Sequence, residues 1–255
     1  KNIIKKQTPK VIAKVENQAG INNLEDIVKN ADCIMIDRGD LSTETNIETL
    51  AINQKKIIST CIKFSKPIIV ATEMLDNMIL SPYPTKAEVL DISNSILDGA
   101  TATMLSGETA IGNFPVESIE VMSKIANKTI NHKDKIIKIN QIQEHSEELG
   151  ASTAIKSLCN YLPISKIIAI TISGYAARII ASQMLSQPII AVSNDKNLVR
   201  SFNIFAGTKG IFFKTKFYKN SLEHIPKCLN YLYKIKEISA KDMILVTALG
   251  YPSSG

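Results

Sequence analysis

Short apolar runs and amphipathic stretches alternate along the first half of the chain. "VIAKV" (11–15), "CIMI" (33–36), "PIIVA" (67–71) and "ATML" (102–105) predict buried parallel strands. Between them, "LEDIVKN" and "IETLAINQKKIISTCIKF" carry helical spacing, with Ile47, Leu50, Ile57 and Cys61 along one side. A further helix is predicted from Pro84-Thr85 through "AEVLDISNSIL" to Gly99, a residue type that commonly ends helices. In "FPVESIEVMSKIANKTI", Pro115 suits a first helical position, and Val116, Ile119, Met122 and Ile125 fall on one face. The pattern is a βα unit repeated four times, with strands starting 22 to 35 residues apart.

Residues 131–150 are polar and show no helical face, which predicts a linker running into a helix. A second βα series follows. Helix "ASTAIKSLCNYL" leads to strand "KIIAITI", helix "YAARIIASQML" to strand "PIIAVS", helix "NLVRSFN" to strand "GIFF", and helix "LEHIPKCLNYLYKIK" to strand "MILVTA". The expected fold class is α/β: part of a (β/α)8 TIM-type barrel over 1–130, then an open α/β sandwich over 151–255. Four units alone would expose apolar edges, and "KNIIKKQTPK" runs straight into a strand. Either the first domain is a small open sheet, or a preceding segment completes the barrel, and the second is the expectation.

Composition narrows the function classes. With 45% hydrophobic residues the chain can bury a substantial core. The net charge of +6 comes from 30 basic residues spread along the chain, without a dense block, so nucleic-acid binding is not expected. No apolar run reaches the roughly 18 residues of a membrane span, and no signal-peptide pattern opens the chain. Cys33, Cys61, Cys159 and Cys228 are far apart and form no CxxC pair, which favours a reducing compartment over a zinc site. His132, His145 and His224 gather with no acids or cysteines and read as surface or structural residues.

Polar residues collect where each strand of the first series ends. The ends read Lys14-Val15-Glu16-Asn17, Asp37-Arg38-Gly39-Asp40, Ala71-Thr72-Glu73 and Ser106-Gly107-Glu108-Thr109. In α/β barrels that rim is the active-site face. Lys14 and Glu16, two apart on a strand, are separated by roughly 7 Å of backbone rise, which suggests a metal-bound anion between them rather than a direct pair. An ordinary edge strand with a solvated charged face is the competing reading. If Asp40 approaches Glu16, the two carboxylates repel, and a divalent cation such as Mg²⁺ relieves that repulsion. Lys14 would then face the negative groups of a ligand. The tripeptide Arg38-Gly39-Asp40 also reads as an adhesion-type loop or a solvated turn, although three apolar residues lead straight into it.

Together these segments resemble pyruvate kinase. The resemblance rests on "IAKVENQAG", "RGDL", "ATEMLDNM" with "PTKAEV" and "ILDG", and above all "MLSGETAIGNFPVE", covering about residues 9–128. It continues more weakly through 150–255, at "TISGYAA" and "VTALGYPSSG". It implies a glycolytic transferase passing a phosphoryl group from phosphoenolpyruvate to ADP, giving pyruvate and ATP. Glu16 and Asp40 would bind Mg²⁺ (or Mn²⁺), and Lys14 would stabilise the transferring phosphoryl group and the enolate. Amides of Gly39 and Asp40, with the Thr72 hydroxyl, would hold the substrate carboxylate. Thr72 would also orient the protonating water, with Ser106 and Glu108 ordering waters behind it. K⁺ is expected too, although the strands that carry its site in the family have no counterpart here, nor does the inserted lid domain. These 255 residues alone are therefore expected not to catalyse phosphoryl transfer. The resemblance also implies a homotetramer, in the cytoplasm or, if a targeting segment has been removed, in a plastid.

Several positions depart from the family. Asp37 stands where Ala or Gly is usual, Ser42 where Gly is, Glu73 where Gln is, and Lys86 where Arg is common. Asp37 adds negative charge beside the proposed site, which would strengthen cation binding or weaken anion binding, or it pairs with Arg38 or Lys14. In the second half, Thr171, Ser173 and Gly174 match a phosphate-binding effector loop, but Ile172 and Ala176 replace a Lys and a hydroxyl residue. Weak or absent activation by fructose bisphosphate is expected, with another sugar phosphate or no effector as alternatives. Two other readings stay open: a metal-dependent barrel lyase or aldolase acting on an enolate, and a catalytically silent regulatory homologue.

Overall fold

A computed structural model of the chain describes residues 9–132, 147–217 and 222–248. Most of the predicted linker, His145 and the closing "LGYPSSG" lie outside those residues. The chain divides into two compact units, Lys1–Ile142 and Gln143–Gly255.

In the first unit β1 (Ile12–Val15), β2 (Cys33–Asp37), β3 (Ile68–Ala71) and β4 (Ala102–Met104) form a parallel sheet in chain order. Between them run α1 (Gln18–Asn22), α2 (Leu24–Asn30), α3 (Arg38–Glu44), α4 (Leu50–Lys63) and α5 (Lys86–Asp98). After β4 come α6 (Gly107–Ala110) and α7 (Pro115–Ile130). Alternate strand residues Val15, Ile34, Ile36, Ile68 and Val70 pack with Val28, Leu41, Ile57 and Ile92 of the helices into one core. The period-two alternation turns Lys14, Met35 and Asp37 to the opposite face of the sheet. That face is not closed along β1, where Ile12 is 45% exposed, so the expectation of a strand buried on both sides does not hold there.

Local chemistry explains the helix limits. Thr85 caps α5 by accepting the Glu88 amide, and the Glu88 carboxylate returns to the Thr85 amide at 2.6 Å. Gly99 ends the helix at φ +116°, where an added Cβ would sit 2.7 Å from Ile62 Cδ1. Two predicted faces shift. Ile47 lies in a short 3-10 turn and is exposed, and α4 buries Gln54, Ile57, Ile58 and Cys61 instead. On α7, Met122 and Ile125 pack inward as predicted, but in the first half of the helix Ser118 is buried while Val116 and Ile119 are exposed.

The second unit contains α8 (Glu147–Tyr161), β5 (Lys166–Ile170), α9 (Tyr175–Ser182), β6 (Ile189–Ser193) and α10 (Lys196–Ser201). It continues with β7 (Thr208–Phe212), α11 (His224–Lys234) and β8 (Ile244–Thr247). Its parallel sheet has the order β7-β6-β5-β8. Odd and even strand positions feed different cores. Ile167, Ala169, Ile189 and Ala191 pack with Cys159, Ala177 and Ile180. Ile168, Ile170, Ile190 and Val192 pack with Cys228 and Leu232. That two-sided burial is why these strands read as unbroken apolar runs.

The loop before β8 is held by Asp242, which accepts the Ser239 amide at 2.7 Å and pairs with Lys166 at 3.2 Å. The Ser239 amide, then Lys166, lowers its pKa to about 2, below the roughly 3.9 of an unfolded Asp. A depressed folded pKa gives stability that is present above about pH 4 and lost as pH falls through about 2. Urea midpoints of the protein and of Asp242→Asn should therefore differ at pH 5 and converge near pH 2. A gap of constant size across that range would contradict this linkage.

All four cysteines are buried and free. Burial pushes their thiol pKa values up, at Cys228 to about 11, as expected of apolar packing groups rather than thiolates. Among the described residues no helix is long and apolar enough to cross a membrane.

Candidate active site

Strand register brings the polar strand ends of the first unit level. Val15 pairs with Ile36, and Asp37 pairs with Ala71, so Glu16, Asp37 and Thr72 emerge along one rim. The chain then turns directly into α3, so Arg38, Gly39 and Asp40 form a first helical turn rather than a loop.

Arg38 is 6% exposed. Its guanidinium donates to Thr72 O at 2.7 Å, to Glu73 O at 2.9 Å and to the Asp91 carboxylate of α5. A buried, fully engaged Arg cannot serve an adhesion loop, and that reading is set aside. Asp91 was not foreseen as its partner, and the proposed Asp37–Arg38 pair does not form.

Lys14 is the hub of the cluster. Its ammonium lies 2.6 Å from Glu16 Oε2, 3.0 Å from Asp37 Oδ2 and 3.8 Å from Asp40 Oδ2. The expected gap between Lys14 and Glu16 is therefore absent. β1 ends at Val15, so Glu16 leaves the strand alternation, and the long lysine stem spans the distance that backbone rise suggested. The Glu16 carboxylate and then Asp37 raise the Lys14 pKa, which keeps the ammonium charged. Burial pushes the Asp37 carboxyl upward, but Lys14 and the Thr72 hydroxyl outweigh it, and its pKa ends below the usual value.

Thr72 and Glu73 both adopt left-handed backbone, at φ 68° and φ 53°. That conformation is unfavourable for a β-branched residue, and Arg38 holds it through the two carbonyls. The Thr72 hydroxyl accepts the Gly39 amide at 2.9 Å and lies 3.2 Å from Asp37 Oδ1 and 2.6 Å from Ala71 O, to one of which it donates. Ser106 and Glu108 stand at the end of β4. Glu108 is 2% exposed, and its carboxylate accepts the Leu75 amide at 2.9 Å and the Ser106 amide at 2.8 Å. It ties the third strand's exit to the fourth, with both oxygens occupied by backbone.

Glu16, Asp37 and Asp40 each offer one carboxylate oxygen, all within 4.8 Å of one another. Glu16 Oε2 is closed from solvent and makes no hydrogen bond of good geometry; its contact is the ion pair with Lys14. Three hard oxygen donors on one rim fit a divalent cation of the Mg²⁺ or Mn²⁺ type. Of the readings offered for Asp37 in the sequence, charge beside the site and a pair with Lys14 both hold. Its place in this cluster depends on strand register, which spacing along one strand does not reveal.

In the second unit, Thr171 is buried and its hydroxyl accepts the Gly174 amide at 2.9 Å, while Ser173 is exposed. Gly174 has φ +82°, and a Cβ there would meet Leu198 and Phe202 at 2.9 Å. The loop follows β5, where strand order reverses between β6 and β8, the usual crevice position in open α/β sheets.

Comparison with known proteins matches both units to domains of one protein family. Residues 2–121 match the pyruvate kinase barrel domain, and residues 151–254 match the pyruvate kinase alpha/beta domain. The pyruvate kinase of Borreliella burgdorferi is 36% identical over 240 residues, covering 93% of this chain and 50% of the relative. That of Clostridium perfringens is 36% identical over 250 residues, covering 96% and 52%. The crystal structure of a pyruvate kinase from Cryptosporidium parvum superposes with a TM-score of 0.80 at 31% identity, covering 94% of this chain and 49% of that one. The chain thus spans about half the length of the curated relatives it matches. With both units matched and the similarity running through the strand-end cluster, the chain belongs to the pyruvate kinase family.

Proposed function

We propose that the strand-end cluster serves phosphoryl transfer from phosphoenolpyruvate to ADP, giving pyruvate and ATP. The observation that carries this reading is the convergence of Lys14 with the Glu16, Asp37 and Asp40 carboxylates on the rim. The reaction breaks the bond between phosphorus and the enol oxygen and forms one to a terminal oxygen of ADP. The enolate left behind then takes a proton at its methylene carbon.

Each residue has a task in that sequence. Glu16 and Asp40 would hold Mg²⁺ (or Mn²⁺), which would neutralise phosphate charge and fix the substrate oxygens. Lys14 presents a positive charge where the transferring group and the enolate oxygen become more negative, and its high pKa keeps that charge at neutral pH. The amides of Gly39 and Asp40, which here donate to the Thr72 hydroxyl and the Asp37 carboxylate, would turn to a substrate carboxylate together with the Thr72 hydroxyl. A Cβ at Gly39 would stand 3.6 Å from Asp37 Oδ1 and 3.7 Å from Thr72 Oγ1, filling part of that cradle. Thr72 also orients the water that protonates the enolate. Ser106 lines the rim beside it, and Glu108 positions the Ser106 turn by its two backbone bonds.

The remaining assignments follow the family. They are a K⁺ requirement, a homotetrameric assembly, and an effector loop at Thr171, Ser173 and Gly174 that responds weakly or not at all to fructose bisphosphate. Buried free thiols suit a reducing compartment such as the cytoplasm. The test is pyruvate formation by the full-length protein with phosphoenolpyruvate, ADP and Mg²⁺. The expected rate depends on ADP and disappears when a chelator removes the cation. Consumption of phosphoenolpyruvate without ADP would point to a lyase and overturn the reading.

A further inference from the structure

We propose that Asp37 is a third carboxylate of the divalent-cation site and sets its affinity by balancing the charge of Lys14. This inference rests on the phosphoryl-transfer reading above, which gives the cation only Glu16 and Asp40. Asp37 is the last residue of β2, locked in register with Ala71, and its side chain is 14% exposed. One of its oxygens lies within 4.8 Å of the ligand atoms of both other acids.

Charge balance explains what the extra acid does. The Lys14 ammonium touches one oxygen of each of the three carboxylates, so it stands where positive charge is favoured. A divalent cation seated beside it brings the local positive charge to three. Glu16 and Asp40 alone would leave one charge in excess, and the ammonium would repel the cation. With Asp37 the two sides are equal. Its two oxygens divide the work, Oδ1 facing the Thr72 hydroxyl and Oδ2 the Lys14 ammonium, with the Asp40 amide as a further donor to the carboxylate. The plainer alternative is that Asp37 only anchors Lys14 and Thr72, and the two roles give different binding results.

The experiment measures Mn²⁺ binding by the electron paramagnetic resonance signal of the free ion, with no substrate present. It compares the full-length protein with Asp37→Asn, Asp37→Glu, Glu16→Gln and Asp40→Asn. Asp37→Asn keeps an oxygen for the Thr72 hydroxyl, so the corner stays folded, which circular dichroism checks. The expected result is Mn²⁺ binding weakened about 10- to 100-fold in Asp37→Asn and largely restored in Asp37→Glu. If Asp37→Asn binds like the parent while Glu16→Gln and Asp40→Asn lose the ion, Asp37 is an anchor only, and the reading of the other two acids stands. If none of the three charge removals changes binding, the cation site itself fails, and this proposal fails with it.

Discussion

Replacing Lys14 by Met is expected to lower kcat of the full-length protein by about 10²- to 10³-fold, the loss typical of one well-placed electrostatic group. The ammonium lies among three carboxylates and carries the only positive side-chain charge described within 4 Å of them. Its effect should therefore fall on the step in which charge builds up, more than on substrate binding. KM for phosphoenolpyruvate should move far less than kcat. Lys14→Arg keeps the charge but spreads it over a planar fork, and should recover only part of the rate. The same Lys14→Met protein should bind Mn²⁺ more tightly, since a competing positive charge has gone. A kcat within about threefold of the parent would remove Lys14 from the chemistry. Weaker Mn²⁺ binding would show that the ammonium organises the acids instead of competing with the ion.

The largest stability effect is expected from Arg38→Ala, at about 3 kcal/mol. Arg38 is 6% exposed and satisfies the carbonyls of Thr72 and Glu73 while pairing with Asp91. Without it, two carbonyls lose their donor, and the left-handed corner loses the group that compensates its strain. Asp91 is 36% exposed, so water takes over part of its charge, which keeps the cost below that of a fully buried pair. Arg38→Lys should recover little, because one ammonium cannot reach both carbonyls and the carboxylate as a fork does. Urea denaturation of each variant measures the loss. A change below about 0.5 kcal/mol would mean that the corner holds without its bolt.

Much of this architecture could be read from the chain. Each apolar run became a strand within about two residues of its expected limits, most plainly at β3 and β6, where burial on two faces leaves little room for polar positions. The start near Pro84-Thr85 and the terminal Gly99 gave α5 its ends, although the capping pair of Thr85 with Glu88 emerged only from the structure. Helix faces were harder. Of the stripe expected on α7, Met122 and Ile125 face the core, while Val116 and Ile119 are exposed and Ser118 is buried in their place. Apolar residues that a neighbour does not cover look the same in sequence as those that one does.

The site divides along the same line. Lys14, Glu16, Asp40 and Thr72 were recognisable as polar residues ending apolar strands, and the structure gathers them on one rim. The Arg38–Asp91 pair links residues 53 apart in sequence, and no local pattern signals it. Asp37 was legible as extra charge beside the site with Lys14 or Arg38 as partner, but the choice of Lys14 and the contact with Thr72 depend on strand register.

Arg38 and Asp40 lie on one helical turn of α3, the first bolted to the third strand's exit and the second facing Lys14. An insertion of one residue between them would swing the Asp40 carboxylate about 100° round the helix axis while the bolt stayed in place. Side-chain substitutions here can be graded in size and charge, but chain length cannot. This short segment should therefore tolerate point changes in evolution and in engineering far more readily than any gain or loss of a residue.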